Sequence, residues 1–552
     1  MATRGFRVGP SDVWQPRFLA QPSPPCRPRA GKPARGMVRG KRETELSRGL
    51  FMLRPGAVIV FVTMVLEATA SSREPSFSRV ETYPEMGRLD YILAVADFND
   101  DGRDDILAGG REEAVLDGQP EDRHDTTALA VFFGQEDGTF EHAPDLIDGT
   151  IEAWQPIVVA ADFNNDEQID LAVFDAGVFV GEESVGYGNP PQLWLSDDDG
   201  VLRSSDSLSD AVTAEHALRP PGGKGLSAPA DLHIKSAAAG DIDNDGDLDL
   251  WVESTGGKNV NSHFMVNNGD ETFTIERDRA TDAVFRNDPP DHWRHVGHTF
   301  LDIDNDGDPD LALGTIRRSF PAFETAVSIV VVNDGTGHYP ERIGLPRVDF
   351  NEGYTSIRFV THFDFNADGF EDLLLVHARN SRPMGPPAFT GRHLQALIND
   401  GGESFVDETP TWLGDQSLTE QVYYPNGDLV YGDANPRMLD IDRDGCEDIV
   451  MANSNTLIRP ESPIFYLNNG SGQFQPVDPD EMFTGMDWSG IYGVPADVNG
   501  DDVIDLVFPQ RVVGPDDEYG TEDDSTRFLT LLNTTPPSPV RCEEPDESDG
   551  TI

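Results

Sequence analysis

A chain of 552 residues with 99 Asp+Glu against 41 Lys+Arg carries a formal net charge of −58. That balance argues against nucleic acid and anionic membrane surfaces as partners, since phosphate is drawn to clustered Lys/Arg and repelled here. Hydrophobic residues make up 38% of the chain and recur as short Val/Ile/Leu/Phe runs, so the acid belongs to a folded protein that calls for counter-cations rather than to a disordered one.

The N-terminal region differs from the rest. Residues 1–55 hold 12 of the 41 basic residues, and 1–70 only four acids, which leaves 95 acids against 29 bases in 71–552. Residues 1–50, rich in Pro and Arg and aperiodic, read as a basic disordered leader or an unusually long n-region, or as sequence ahead of a true start at Met37 or Met52. Residues 51–70 fit an export signal: Met52-Leu-Arg54, an uncharged apolar run Ala57–Leu66, then Ala68-Thr69-Ala70 with small residues for cleavage. A buried strand is the alternative. The run is too short for a membrane span of about 20 residues, so the mature chain is expected to be secreted, cell-surface or periplasmic, with no span of its own. Three cysteines, Cys26, Cys446 and Cys542, permit at most one bridge after the leader, and no Cys/His group has zinc spacing.

From residue 97 onward one acidic loop recurs seven times. Asp97-Phe-Asn99-Asp-Asp101-Gly-Arg103-Asp-Asp105 is the first, and Asp162, Asn164, Asp166, Gln168 and Asp170 mark positions 1, 3, 5, 7 and 9 of the second. The same positions are Asp241, Asp243, Asp245, Asp247 and Asp249; Asp302, Asp304, Asp306, Asp308 and Asp310; Asp364, Asn366, Asp368, Phe370 and Asp372; Asp440, Asp442, Asp444, Cys446 and Asp448; and Asp497, Asn499, Asp501, Val503 and Asp505. The pattern is D-x-[DN]-x-D-G-x-x-D followed by an apolar residue. Side-chain oxygen stands at positions 1, 3, 5 and 9 in every copy, whereas position 7 accepts any side chain and so contributes its main-chain carbonyl. Hard oxygen donors around a glycine turn suit Ca²⁺, up to seven ions in all. An EF-hand would need a Glu at position 12 between helices, but that position is Ala108 in the first copy and Leu313 in the fourth, and the flanks read as strands. The copies are also too far apart for a nonapeptide β-helix.

Successive first aspartates lie 65, 79, 61, 62, 76 and 57 residues apart, room for a four-stranded antiparallel unit. A second signature accompanies several units, an apolar strand, a polar hairpin and an aromatic, as in Val131–Phe140, Val330–Tyr339 and Tyr466–Phe474. Asn-Gly and Asp-Gly pairs between apolar runs signal hairpins. Each unit is thus strand A, loop, strand B, strand C, hairpin, strand D. The seventh has strand A near Tyr492, strand B at Leu506–Phe508 and strand C at Phe528–Leu532 but no strand D. Ser76–Val80 resembles the strand-D openings and is expected to supply it, closing the ring.

These loops and hairpins resemble the FG-GAP/VCBS repeats that build seven-bladed β-propellers, the integrin alpha-subunit head among them. The resemblance spans 76–535, leaves 536–552 as an acidic Pro-containing tail, and implies an all-β fold with calcium held between strands A and B. Glu167 and Asp502 replace the position-6 glycine, at a cost on the order of 1 kcal/mol each, so the second and seventh sites are expected to be weaker.

Two functional readings follow. Propellers present variable loops on a rigid ring, and the longest insertions, Phe179–Gln192, Asp206–Ala230, Arg379–Arg392 and Trp412–Arg437, carry aromatics (Tyr187, Phe389, Trp412, Tyr423, Tyr424, Tyr431) suited to sugar stacking or docking. The expectation is a monomeric extracellular binding or adhesion module for protein or glycan, without catalysis. The alternative is a polysaccharide lyase or hydrolase using His292, His295, His298, His362, His377 or His393 with Arg294 or Arg392, although no acid/base pair, phosphate loop, nucleophile elbow or HExxH can be placed from sequence.

Overall fold

The computed structural model describes residues between 75 and 538, apart from internal stretches of which the longest are 110–128, 218–233, 280–294, 316–327, 415–433, 454–464, 478–492 and 513–524. The basic leader, the apolar run Ala57–Leu66 and the tail beyond 538 fall outside them, as do His292, Arg294, Phe389, Tyr423, Tyr424 and Tyr431.

Seven antiparallel sheets succeed one another along the chain. Blade 1 is Tyr91–Ala96, Asp105–Gly109, Leu129–Gly134 and Phe140–His142. Blade 2 is Pro156–Ala161, Asp170–Asp175, Gln192–Ser196 and Leu202–Ser205, with Ile147–Asp148 added as a short parallel fifth strand. Blade 3 is Ile234–Gly240, Asp249–Ser254, His263–Asn267 and Phe273–Glu276, and blade 4 is His295–Leu301, Asp310–Thr315, Ile329–Val332 and Glu341–Gly344. Blade 5 follows as Tyr354–Phe363, Asp372–Asn380, Thr390–Asn399 and Phe405–Asp407, then blade 6 as Ala434–Leu439, Asp448–Asn453, Phe465–Asn468 and Phe474–Val477. Blade 7 comprises Val494–Ala496, Asp505–Val512 and Ser525–Asn533, and its fourth strand is Phe77–Thr82 from the other end of the chain. That strand pairs from Phe77↔Asn533 to Thr82↔Phe528, and Thr534 N–H reaches Ser76 O at 2.8 Å. The ring is a seven-bladed β-propeller closed by its N-terminal strand, as the missing strand D required.

The apolar runs lack a period of two because strand B is buried on both faces. In blade 1, Leu107 packs toward blade 2, while Ile106 and Ala108 pack toward blade 7. Seven hydrophobic clusters result among the described residues, each filling the space between two successive blades. Strand D opens with a buried aromatic and then turns polar, as at Phe140, Phe405 and Phe474, which is why the hairpin-aromatic signature recurs.

Two expected loops are ordered differently. Ser207–Ala217, inside the Asp206–Ala230 insertion, is an α-helix whose Leu208, Ala211 and Val212 are buried among residues of blades 2 and 3; their i, i+3, i+4 spacing is helical. Trp412 ends a one-turn helix and packs on the blade 5/6 core, 6.1 Å from the Phe365 ring, so it is not an exposed docking aromatic.

Candidate metal loops

Every acidic repeat joins strand A to strand B, and each loop folds by the same internal bonds. The carboxylate at position 1 accepts the N–H groups of positions 5 and 6, for example Asp101 N and Gly102 N on Asp97 at 3.1 and 2.8 Å, and Asp368 N and Gly369 N on Asp364 at 3.2 and 2.8 Å. The position-5 carboxylate accepts the N–H of position 7, as in Phe370 N→Asp368 Oδ1 at 2.9 Å. Short polar side chains capping their own backbone in this way stabilise a tight turn. Two residues per loop take a left-handed conformation. One is position 6, occupied by glycine in five loops and by Glu167 (φ 67°) and Asp502 (φ 60°) in the others. The second is position 4, where Asp100, Asn165, Asn244, Asn305, Ala367 and Arg443 all have φ between 55° and 60° and Gly500 has 72°; the sequence pattern, which leaves position 4 unspecified, gave no sign of it.

The position-9 aspartates, grouped by sequence with the ligands, also hold the fold. Their Oδ1 accepts the N–H of the residue that ends strand C or, in blade 4, directly follows it: Gly134, Ser196, Asn267, Asn333, Asn399, Asn468 and Asn533, at 2.7–2.8 Å. In six loops Oδ2 accepts the N–H of position 2, as in Phe365 N→Asp372 at 2.8 Å. Burial, opposed by these backbone bonds and assisted by neighbouring carboxylates, pushes Asp105, Asp170, Asp249, Asp310, Asp372 and Asp505 up to about 7 and Asp448 up to about 9. A buried carboxylate this hard to ionise gains most from a nearby cation.

Three loops bring ligating oxygens within 4.8 Å of one another: Asp241, Asp243 and Asp249; Asp302, Asp304 and Asp306; Asp440, Asp442 and Asp448. In the first, Asp243 Oδ2 is held by Arg279 Nη2 at 2.9 Å, while Oδ1 is buried with no hydrogen-bond partner. An all-oxygen donor set with such an orphaned atom fits a hard cation. Position 7 side chains diverge: Arg103 turns back to pair with Asp101 and donates to Gly134 O, Val503 is buried, and Cys446 is in a disulfide whose partner lies outside the described residues.

Sequence reasoning missed Arg279 and the asparagines that end strand C. Asn267, Asn333, Asn399 and Asn533 each donate Nδ2 to the position-2 carbonyl of the preceding blade's loop (Phe163, Ile242, Ile303 and Ile441) at 2.7–2.8 Å; on Oδ1 the first three accept hairpin N–H groups and Asn533 accepts Thr535 N–H. They staple blade to blade. The recurrence of Asn at the end of strand C in five of the seven blades was the available signal; Arg279 has no counterpart in other repeats and left none.

The described histidines belong to the blades rather than to a cleft. His298 is buried against Ser236 Oγ (3.1 Å) and Glu253 (3.5 Å), His377 bonds Gln395 at 2.8 Å beside His393, and His362 pairs with Glu371 at 3.0 Å. No helix among the described residues is long and apolar enough to cross a membrane.

The chain matches the FG-GAP-like repeat family over residues 97–173 and 440–508. Among solved structures it is similar to an Agrocybe aegerita lectin that recognises non-reducing terminal N-acetylglucosamine, at 15% identity and a TM-score of 0.37, covering 75% of this chain and 84% of that one. It is also similar to a Bacillus licheniformis rhamnogalacturonan lyase (12%, TM-score 0.36, covering 86% and 76%) and to an exotype rhamnogalacturonan lyase (13%, 0.37, 85% and 76%).

Proposed function

Because the chain is a seven-bladed β-propeller built on FG-GAP-like repeats, we propose that it is an exported, calcium-stabilised binding module that presents its insertions to an extracellular protein or glycan. The observation that carries the binding reading is topological. The acidic loops and the C–D hairpins occupy one end of the strands, so the B–C and D–A connections leave and rejoin the blades at the other end. All four long insertions are B–C or D–A connections. One end of the ring therefore carries the acidic loops and the other is free to vary, a division suited to a rigid receptor. Turnover is the lesser reading, since His298, His377 and His393 are buried in packing.

The metal is calcium on the chemistry of its donors: carboxylate and amide oxygen without nitrogen or sulfur side chains at positions 1, 3, 5 and 9. It would be held by Asp241, Asp243, Asp245, Asp249 and the main chain of Asp247, and by the corresponding residues of the other loops. It supplies positive charge where several carboxylates would otherwise repel. At millimolar calcium and dissociation constants of about 0.1–1 mM, each site contributes about 0.4–1.4 kcal/mol, hence several kcal/mol over the ring. The disulfide at Cys446 supports export, as such bonds persist in oxidising compartments. Melting the protein with and without chelator tests the structural role: a fall of several degrees on chelation is expected, and an unchanged melting temperature refutes it. Screening protein and glycan arrays in calcium tests the binding role.

A further inference from the structure

We propose that the second, third, fourth and fifth loops take up their cations as one coupled block; this rests on the calcium reading above. Three hydrogen bonds run from position 4 of one loop to the next loop: Asn165 Nδ2→Asp247 Oδ1 at 2.6 Å, Asn244 Nδ2→Asp308 Oδ1 at 2.5 Å and Asn305 Nδ2→Gly369 O at 2.9 Å. Along the chain, the donor residue lies between positions 3 and 5 of its own loop. The acceptor is at position 6 or 7 of the neighbour, and position 7 is the residue that would offer its main-chain carbonyl to the ion. A second tie joins the same pairs, because Asn267, Asn333 and Asn399 bond the position-9 carboxylate of their own blade and the position-2 carbonyl of the loop before.

The series stops where the chemistry of position 4 stops it. Asp100 has a carboxylate with no N–H to donate, and Ala367 and Gly500 have no polar side chain. Arg443 bonds Thr535 O at 2.9 Å, in the segment after blade 7's third strand, instead of the seventh loop. The seam between the seventh and first loops is joined separately, through Asp104 N→Asp497 O and Asp497 N→Asp104 Oδ2.

A metal-free loop whose carboxylates repel gains conformational freedom. Filling it fixes the asparagine in its left-handed conformation and holds its amide at the neighbour's position 6 or 7. The neighbour then loses less freedom on filling, and by linkage the effect is mutual.

The test is a calcium titration of the purified chain against a chromophoric chelator, with bound metal counted by elemental analysis. Wild type is expected to give a Hill coefficient above one, each filled neighbour raising affinity about fivefold or more. The combined variant Asn165→Ala, Asn244→Ala, Asn305→Ala should bind as many ions with a Hill coefficient lowered toward one; alanine is accommodated at this backbone angle, as Ala367 shows with φ 57°. Asp100→Ala, the same change in a loop outside the block, should leave the steepness as in wild type. Should the triple variant not fold, Asn244→Ala alone divides the block and should lower the coefficient. Full stoichiometry with unchanged steepness in the asparagine variants overturns the coupling and leaves the calcium reading standing. A wild-type chain that binds no calcium overturns both.

Discussion

Asp372 shows what one carboxylate does in each blade. It receives Phe365 N–H from its own loop and Asn399 N–H from strand C at 2.8 and 2.7 Å, both out of water. Asp372→Ala orphans two buried donors at about 1–3 kcal/mol each, so a loss of about 3 kcal/mol is expected in denaturant unfolding with chelator present, where metal plays no part; Asp372→Asn, which keeps one acceptor, should lose less. Equal behaviour of the two variants would refute this. Position 6 makes the converse prediction. Glu167 and Asp502 sit at φ 67° and 60°, where a side chain costs about 1–2 kcal/mol relative to glycine. Glu167→Gly and Asp502→Gly should therefore each raise stability by about 1 kcal/mol in chelator, and a loss in both would show that the loop backbone is not strained there.

At the scale of the element, the closing strand matters more than its six residues suggest. Phe77–Thr82 covers the edge of Ser525–Asn533 over its last six residues, from Phe77↔Asn533 to Thr82↔Phe528, and Arg527 reaches across it to Glu81 at 3.4 Å. Without it, a nine-residue strand would expose a row of unpaired backbone groups, a template for association. Deleting Phe77–Thr82 is expected to lower the melting temperature and to produce concentration-dependent oligomers in analytical ultracentrifugation; a stable monomer would mean that the Asp104–Asp497 contact and the core between blades 7 and 1 suffice to hold the seam. The helix Ser207–Ala217 is the other element of note, since it fills a gap between blades 2 and 3 that strands leave open.

Across the whole ring, the stability of each blade depends on its neighbours, because the cores lie between sheets rather than within them. The net charge of −58 is concentrated in part on loops at one end of the strands, and on the calcium reading proposed above a chelator would act on several blades at once. The thermal transition in chelator is expected to remain a single cooperative step at lower temperature; resolved stepwise melting of blades would contradict the interdigitated cores.

The repeat number, the strand order, the place of the acidic loops between strands A and B and the need for a strand from the N-terminal side were legible in the chain alone, since each rests on local pattern: acidic residues at fixed spacing, apolar runs of strand length and turn residues between them. The bonds of the position-9 aspartates to strand C, the asparagine staples, the left-handed position 4, Arg279 on Asp243 and the packing of Trp412 were decided by tertiary structure. Each of these depends on which backbone group from a distant blade arrives beside a side chain, and in the ring that arrival is set by the packing of whole sheets, over separations such as the 104 residues between Asn267 and Phe163, which no local spacing encodes.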